Sequence, residues 1–341
     1  MTVLGKKIIT SWWSVTEKII SVKPPLIRAA QVQVVRYQPA VKRDWDSFIE
    51  KSKNGTFLFY RDYMDYHADR FPDHSLMLFE DQALVALLPA TVHEGIFSSH
   101  AGLTYGGFVV GRAMKVARML RILDAVANYL IANGMKKFIY KAIPHIYHRA
   151  PSGEDLYALF VSNFRLVRRE VSSTIALRNF HIPAKRANGA RKAEKSGICV
   201  EQSSDYETFF KMVNDRLEKK YHVSAVHSAA EMKLLQRRFP ENVKLHTVML
   251  SNEMVGGALT YETDRVVHTQ YLSTTALGRK LRALDLLIIS VLEGCRGDKT
   301  WFDFGISTQD GGRTLNESLV KQKEEFGASA LNYDTYELEL S

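Results

Sequence analysis

The chain has 341 residues, 46% hydrophobic and 24% charged, with nine prolines and two cysteines. Two thiols exclude a disulfide framework, the composition excludes a disordered or collagenous chain, and no run reaches the roughly 18 apolar residues of a membrane-spanning helix. A formal net charge of +9 favours anionic partners: phosphorylated small molecules, an RNA backbone or an anionic membrane face.

Leu4, Ile8, Trp12, Val15 and Ile19 recur at helical spacing among Lys6, Lys7 and Lys18, and Pro24-Pro25 ends the pattern. Residues 1–31 therefore read as an amphipathic arm that packs on protein or lies peripherally on the inner membrane face. The start lacks the unbroken apolar core of a secretory leader, so the cytoplasm is the expected compartment. A strand over 32–37 and helices over 44–52 and 60–70 open the first domain. The charged turn Glu80-Asp81-Gln82 joins strands at 75–79 and 83–92 into a hairpin. After the Gly- and aromatic-rich stretch 103–110, Val116, Leu120, Leu123, Val126 and Leu130 line one face of a helix over 114–133, which Asn133-Gly134 stops. A strand at 137–143, a helix at 154–163 and a strand at 174–177 complete this half.

A connecting helix over 184–196 leads into the second half. Helices follow at 207–219 and 229–239, then strands at 244–251, 255–262 and 265–272. A long helix over 278–294, a strand at 300–305 and a terminal strand near 331–338 end the chain. Both halves keep the order helix, helix, hairpin, strand, long helix, strand. This predicts an α/β (α+β) protein of two tandem domains, 32–180 and 181–341, each a mixed, mostly antiparallel sheet flanked by helices.

Several ordered strings carry a resemblance that extends from about residue 34 to the end. They are "GTFLFYRDYMDY", "ALLPATV" and "LTYGGFVVG", then "ARKAEKSGICVEQ", "HTQYLSTT", "GRKLRALDLLI", "WFDFGIST" and "LVKQKEEFGA". In this set the chain resembles the tandem-GNAT, Fem-like acyltransferases of bacteria. The resemblance implies transfer of an acyl group to an amine of a nucleotide-sugar, glycolipid or cell-envelope precursor, in polysaccharide or envelope biosynthesis. It implies acyl-CoA, acetyl-CoA included, as donor, or aminoacyl-tRNA in the branch that adds amino acids to peptidoglycan-type precursors. No metal is expected, since His145 and His148 have no further ligands nearby in sequence.

Such a reaction needs an unprotonated amine, a stabilised oxyanion and a grip on the donor's phosphates. The resemblance puts that grip at the start of the long helix, with Thr274, Gly278, Arg279 and Lys280; Lys280 stands where the usual cofactor loop has a small residue. Strict alternation along the strand 265–272 puts His268, Gln270 and Leu272 on one face and Tyr271 on the other. His268 is the candidate general base, Gln270 a substrate contact and Tyr271 a proton donor to the leaving group. Asp303, flanked by Phe302 and Phe304, is read as paired or catalytic, and Asp285 as a structural partner. Lys323 occupies the place of the lysine that the Fem-like pattern carries. Arg191 and Lys192, with Lys185, Arg186 and Lys195, make a basic helix surface for a substrate phosphate or tRNA, or a plain solvated connector. Tyr105, beside Gly106-Gly107, is placed at the first domain's cleft, where Arg61 and Tyr63 would also reach an acceptor. The altered cofactor loop leaves a third reading open, a binding protein with a degenerate GNAT fold.

Overall fold

The computed structural model describes residues 31–340, so the helix expected over the first 23 residues lies outside them. The first half runs β1 (Val32–Arg36), α1 (Lys42–Lys51), α2 (Arg61–Met64), β2 (Leu76–Glu80), β3 (Ala83–Leu88), β4 (Thr91–His93), β5 (Ile96–Ser98), β6 (Val109–Val110), α3 (Val116–Ala132), β7 (Lys137–Lys141), α4 (Glu154–Val161) and β8 (Arg165–Ala176). The second runs α5 (Ala184–Lys195), β9 (Ile198–Ser203), α6 (Tyr206–Tyr221), α7 (Ala229–Arg238), β10 (Val243–Leu250), β11 (Glu253–Glu262), β12 (Val266–Thr274), α8 (Ala276–Lys280), α9 (Ala283–Gly294) and β13 (Trp301–Ile306). The short strands β14 (Thr308–Gln309) and β15 (Thr314–Leu315), α10 (Glu317–Glu324) and β16 (Ser329–Glu339) finish it.

Two sheets organise these elements. The smaller has the order β1-β2-β3-β6; Asp81 and Gln82, both at positive φ, form the tight turn between β2 and β3. The larger has ten strands in the order β4-β5-β7-β16-β8-β13-β12-β11-β10-β9. The chain's last strand returns between β7 and β8 of the first half, so one sheet runs through both halves. Neighbours in it are antiparallel except at β5–β7 and β12–β13. Each of those parallel pairs spans three residues and then splays open.

Several elements depart from the sequence-based expectation, and the strand expected over 83–92 is two, β3 in the smaller sheet and β4 in the larger. β8 has 12 residues, because its charged stretch 165–170 is paired across strands: Arg169 grips Asp334 with two hydrogen bonds and Arg165 meets Glu337. The helix expected over 60–70 is a single α-turn, α2, followed by a 3-10 turn. The single helix expected over 278–294 is two, α8 and α9, separated by Arg282 at φ 63°. Thr275 caps α8 by accepting the Gly278 N–H. α8 also lies so close to β11 that a Cβ on Gly278 would sit 2.1 Å from the Val255 carbonyl oxygen. α9 begins afresh because Asp285 in its first turn is buried between Arg186 and Arg282.

Candidate active site

The site grows from one backbone feature. β12 and β13 pair at Val266–Trp301, Val267–Phe302 and His268–Asp303, then diverge. A side chain at the last rung therefore stands at the bottom of a cleft that neither strand closes. Here that rung is a buried ion-pairing couple, with His268 Nδ1 3.0 Å from Asp303 Oδ2.

Asp303 is fully buried and accepts from four further donors. The Tyr147 hydroxyl donates to Oδ2 at 2.9 Å and the Tyr333 hydroxyl at 2.6 Å. Ser172 Oγ and the Gly305 N–H donate to Oδ1. Burial by itself would raise the pKa of this carboxyl; His268 and the hydroxyl donors outweigh it and hold Asp303 well below the usual carboxylate range. An ionised carboxylate only accepts, so the hydrogen-bond network assigns a proton to His268 Nδ1. In the neutral form of this tautomer the lone pair is on Nε2. No described residue hydrogen-bonds Nε2, and His268 lines an open cavity of about 500 Å³. A base whose partner nitrogen is fixed by a buried acid can accept a proton without reorienting.

The two flanking tyrosines were not legible as site residues. Tyr147 comes from the turn after β7 and Tyr333 from β16, so both halves and the C-terminal strand converge on Asp303. Tyr105 is buried, donates to Thr56 Oγ1 and packs its ring 4.4 Å from that of Tyr147. It braces the network and does not line the cavity; its neighbours Ala101, Leu103 and Thr104 do.

The strict alternation expected along β12 fails at one place. Leu259 pairs with Tyr271 and Thr260 with Thr269, so Gln270 is the extra residue of a β-bulge. The bulge brings Tyr271 to the side of Val266, His268's side, and sends Leu272 to the opposite core. Gln270 lines the cavity with His268. The Tyr271 hydroxyl instead meets the His227 ring nitrogen at 2.8 Å, away from that cavity.

Lys323 lies behind the site. Its ammonium donates to the Gly305 and Ile306 carbonyls and to Ser307 Oγ at 2.7, 2.9 and 2.8 Å, and burial pushes its pKa down to about 8. All three hydrogens hold the turn that ends β13, the same turn whose N–H reaches Asp303. Arg61 is likewise committed, buried between Asp65 and Asp73, and Tyr63 packs in an aromatic cluster with Phe57 and Tyr261.

Residues 184–311 match the family model described as acetyltransferase (GNAT) domain. That segment is a GNAT domain. No curated protein matches the sequence. Among solved structures the chain is similar to FemX, with 11% identity, a TM-score of 0.66 and coverage of 90% of this chain and 97% of that one. It is also similar to L-PGS from Bacillus licheniformis (12%, TM-score 0.59, covering 88% and 92%) and to a tandem GNAT protein from the clavulanic acid biosynthesis pathway (10%, 0.53, covering 91% and 99%). At these identities the likeness is one of fold, and it extends over both halves.

Within the GNAT domain, the helix start after β12 holds Thr274, Gly278, Arg279 and Lys280. Thr274 is buried; its carbonyl accepts from Arg279 at 2.8 Å, and Arg279 and Lys280 face solvent. The Gly278 N–H is used by the Thr275 cap, so this glycine serves the packing of α8 on β11. Arg191 and Lys192 are exposed on α5, while Arg186 on the same helix is buried against Asp285. Among the described residues no group of three or more metal-ligating side chains is assembled, and no described helix is long and apolar enough to cross a membrane.

Proposed function

We propose that the protein transfers an acyl group to an amine, with His268 as general base and Asp303 as the residue that orients it. The observation that carries this reading is the His268–Asp303 rung at the mouth of the splay, with Nε2 turned to an open cavity. In the step, the acceptor nitrogen attacks the donor carbonyl carbon and a C–N bond forms. His268 Nε2 takes the proton that the nitrogen loses, and Asp303 stabilises the imidazolium. The carbonyl then re-forms, the bond to the leaving sulfur or oxygen breaks, and His268 returns the proton to that atom. Backbone N–H groups of β12 beyond His268 have no partner on β13 and are available to the oxyanion.

An acyl-CoA donor suits this geometry, because the GNAT domain places the exposed Arg279 and Lys280 just after the same strand, where phosphates would be held. Arg191 and Lys192 are the further candidates for a phosphate-bearing substrate. Residues 181–341 act as the chemical domain in this reading, and residues 32–180 brace it through Tyr147 and wall the cavity. The amine belongs to a nucleotide-sugar, glycolipid or envelope precursor. An aminoacyl-tRNA donor is the second reading, compatible with the similarity in fold to FemX over nearly the whole chain.

The test is a transfer assay of the full chain with a panel of acyl-CoAs and with charged tRNA, against amine acceptors. Turnover with a CoA ester that falls by 10²–10⁴-fold in His268→Gln supports general-base transfer. Turnover unaffected by His268→Gln sinks the assignment. Turnover with charged tRNA alone moves the donor to the second reading.

A further inference from the structure

The cavity beside His268 has a second end. The strand registers put Lys141 opposite Thr335, Thr335 opposite Arg168, and Tyr333 opposite Glu170. Paired residues share a sheet face, and residues two apart on a strand share it too. Arg168, Glu170 and Ser172 therefore stand in one row on the face that carries Asp303, and Ser172 is the residue that touches it. From Ser172 to Arg168 is about 13 Å along the strand at roughly 3.3 Å per residue. The same cavity spans this distance, with His268 and Arg168 both in its wall.

The charges at the far end are unequal. Lys141 is spent on the loop above it, donating to the carbonyls of Leu103, Ala101 and His100. Glu170 takes one Arg168 nitrogen at 2.6 Å, which fixes the guanidinium. No other hydrogen bond to the Arg168 guanidinium is formed among the described residues, and its side chain is 47% exposed. Asp334, which also contributes to the cavity wall, is held by two hydrogen bonds from Arg169. Of the charged residues in the wall, Arg168 thus keeps a guanidinium edge presented to the cavity. A guanidinium fork matches the oxygens of a carboxylate or phosphate.

We propose that the acceptor amine carries an anionic group, a carboxylate or a phosphate, several bonds away, and that Arg168 binds it while the amine lies at His268. This deepens the acyl-transfer reading above and rests on it. Arg168 sets which amines enter, and Glu170 is the positioning residue that aims it.

The experiment titrates the full chain with three matched probes: hexylamine, 6-aminohexanoate and 6-aminohexyl phosphate. At least tenfold tighter binding of an anionic amine than of hexylamine is expected. Arg168→Gln should remove that preference, and Glu170→Gln should weaken it. The exposed Arg191→Gln should leave it intact, which separates a site from general attraction to a basic protein. Carboxylate over phosphate, or the reverse, identifies the anion. His268→Gln should keep the preference, and transfer that survives in His268→Gln, with the preference retained, would sink the catalytic reading and leave Arg168's role standing. Equal binding of all three probes, no binding of any, or a preference that survives Arg168→Gln would overturn the proposal. So would a loss of coenzyme A binding in Arg168→Gln with the amine preference unchanged, because Arg168 would then serve the donor.

Discussion

The two halves use the same backbone device and treat it in opposite ways. In the second half, β12 and β13 part after His268–Asp303 and the space between them stays open. In the first, β5 and β7 part after Ser98–Ile139, and the chain immediately refills the gap. The Ser99 N–H bonds the Ile139 carbonyl, the Lys141 N–H bonds Ser99 Oγ, and the Gly106 N–H bonds the Lys141 carbonyl. Phe108 and Tyr140, both buried, plug what remains, and the Tyr140 hydroxyl takes the Phe108 N–H while donating to Asp155. A parallel splay exposes unpaired backbone groups, and these must be met by the chain or by a ligand. The first half meets them itself. Only the second half leaves them for something else, and only there does a titratable couple stand at the rung.

The largest effects should come from breaking that couple. Asp303→Ala strands four side-chain donors in a buried place and should cost roughly 3–5 kcal/mol, besides abolishing activity. Asp303→Asn keeps the volume and should lose 10²–10⁴-fold in kcat while remaining folded. The depressed pKa of Asp303 fixes the sign of its pH effect. Its contribution to stability is fully present above the unfolded carboxyl value of about 3.9 and is lost as pH falls below that toward the folded value. Urea melts from pH 6 down to 2 should show wild type losing stability relative to Asp303→Asn; parallel curves would remove the charge from the account. In the first half, Tyr140→Phe should cost about 1–3 kcal/mol by stranding Asp155 and the Phe108 N–H, with kcat per folded molecule unchanged.

Glycines give the next test. A Cβ on Gly106 would stand 1.8 Å from the Ser99 carbonyl oxygen, and one on Gly278 would stand 2.1 Å from that of Val255. Each alanine substitution should destabilise by ~3 kcal/mol, since backbone cannot yield cheaply. They should differ in function. Gly106→Ala loosens a plug and should lower the melting temperature alone. Gly278→Ala shifts α8 against β11 and should also weaken donor binding, measured by coenzyme A titration.

Much of this contrast could not be read from the sequence, for definable reasons. Amphipathic spacing placed α3, α6 and α7 within a few residues, because their packing faces repeat locally. β12 showed its polar residues, and of these His268 and Gln270 both line the cavity. The bulge at Gln270 left no local mark, so the face of Tyr271 came out reversed. Tyr147 and Tyr333 join Asp303 across 156 and 30 residues of chain, and no spacing rule reports such contacts. Charge hid most of β8, whose Arg165 and Arg169 find their acids on β16, a strand from the other end of the chain. Lys323 illustrates the converse. A family resemblance supplied its position, while its three acceptors decide what it does.

Lys323 should give a middling effect. Lys323→Met leaves two carbonyls and Ser307 without their donor, at about 1–3 kcal/mol, and should lower activity by letting the Gly305 turn drift from Asp303. Its folded pKa of about 8 lies below the unfolded value near 10.4. The unfolded chain therefore binds more protons between those values, and stability should rise with pH across that window in wild type. Lys323→Met should flatten that rise, as read from melts at pH 7.5 to 10.

The smallest effects belong to Arg279 and Lys280. Both face solvent, and the only side-chain hydrogen bond of Arg279 among the described residues is to the Thr274 carbonyl, so each alanine variant should alter stability by no more than about 0.5 kcal/mol. If the open splay is the donor's place, its phosphates lie near these two charges. Each substitution should then weaken coenzyme A binding by roughly three- to tenfold at low ionic strength, since single exposed charges are worth about a kilocalorie or less. Raising the salt to 0.5 M should shrink the difference, because exposed charges are screened within a few ångströms there. Unchanged binding in the double variant would detach the donor from the β12–α8 corner. The open splay would then be a cleft for the acceptor alone, and the contrast between the halves would concern which substrate enters rather than where the phosphates are gripped.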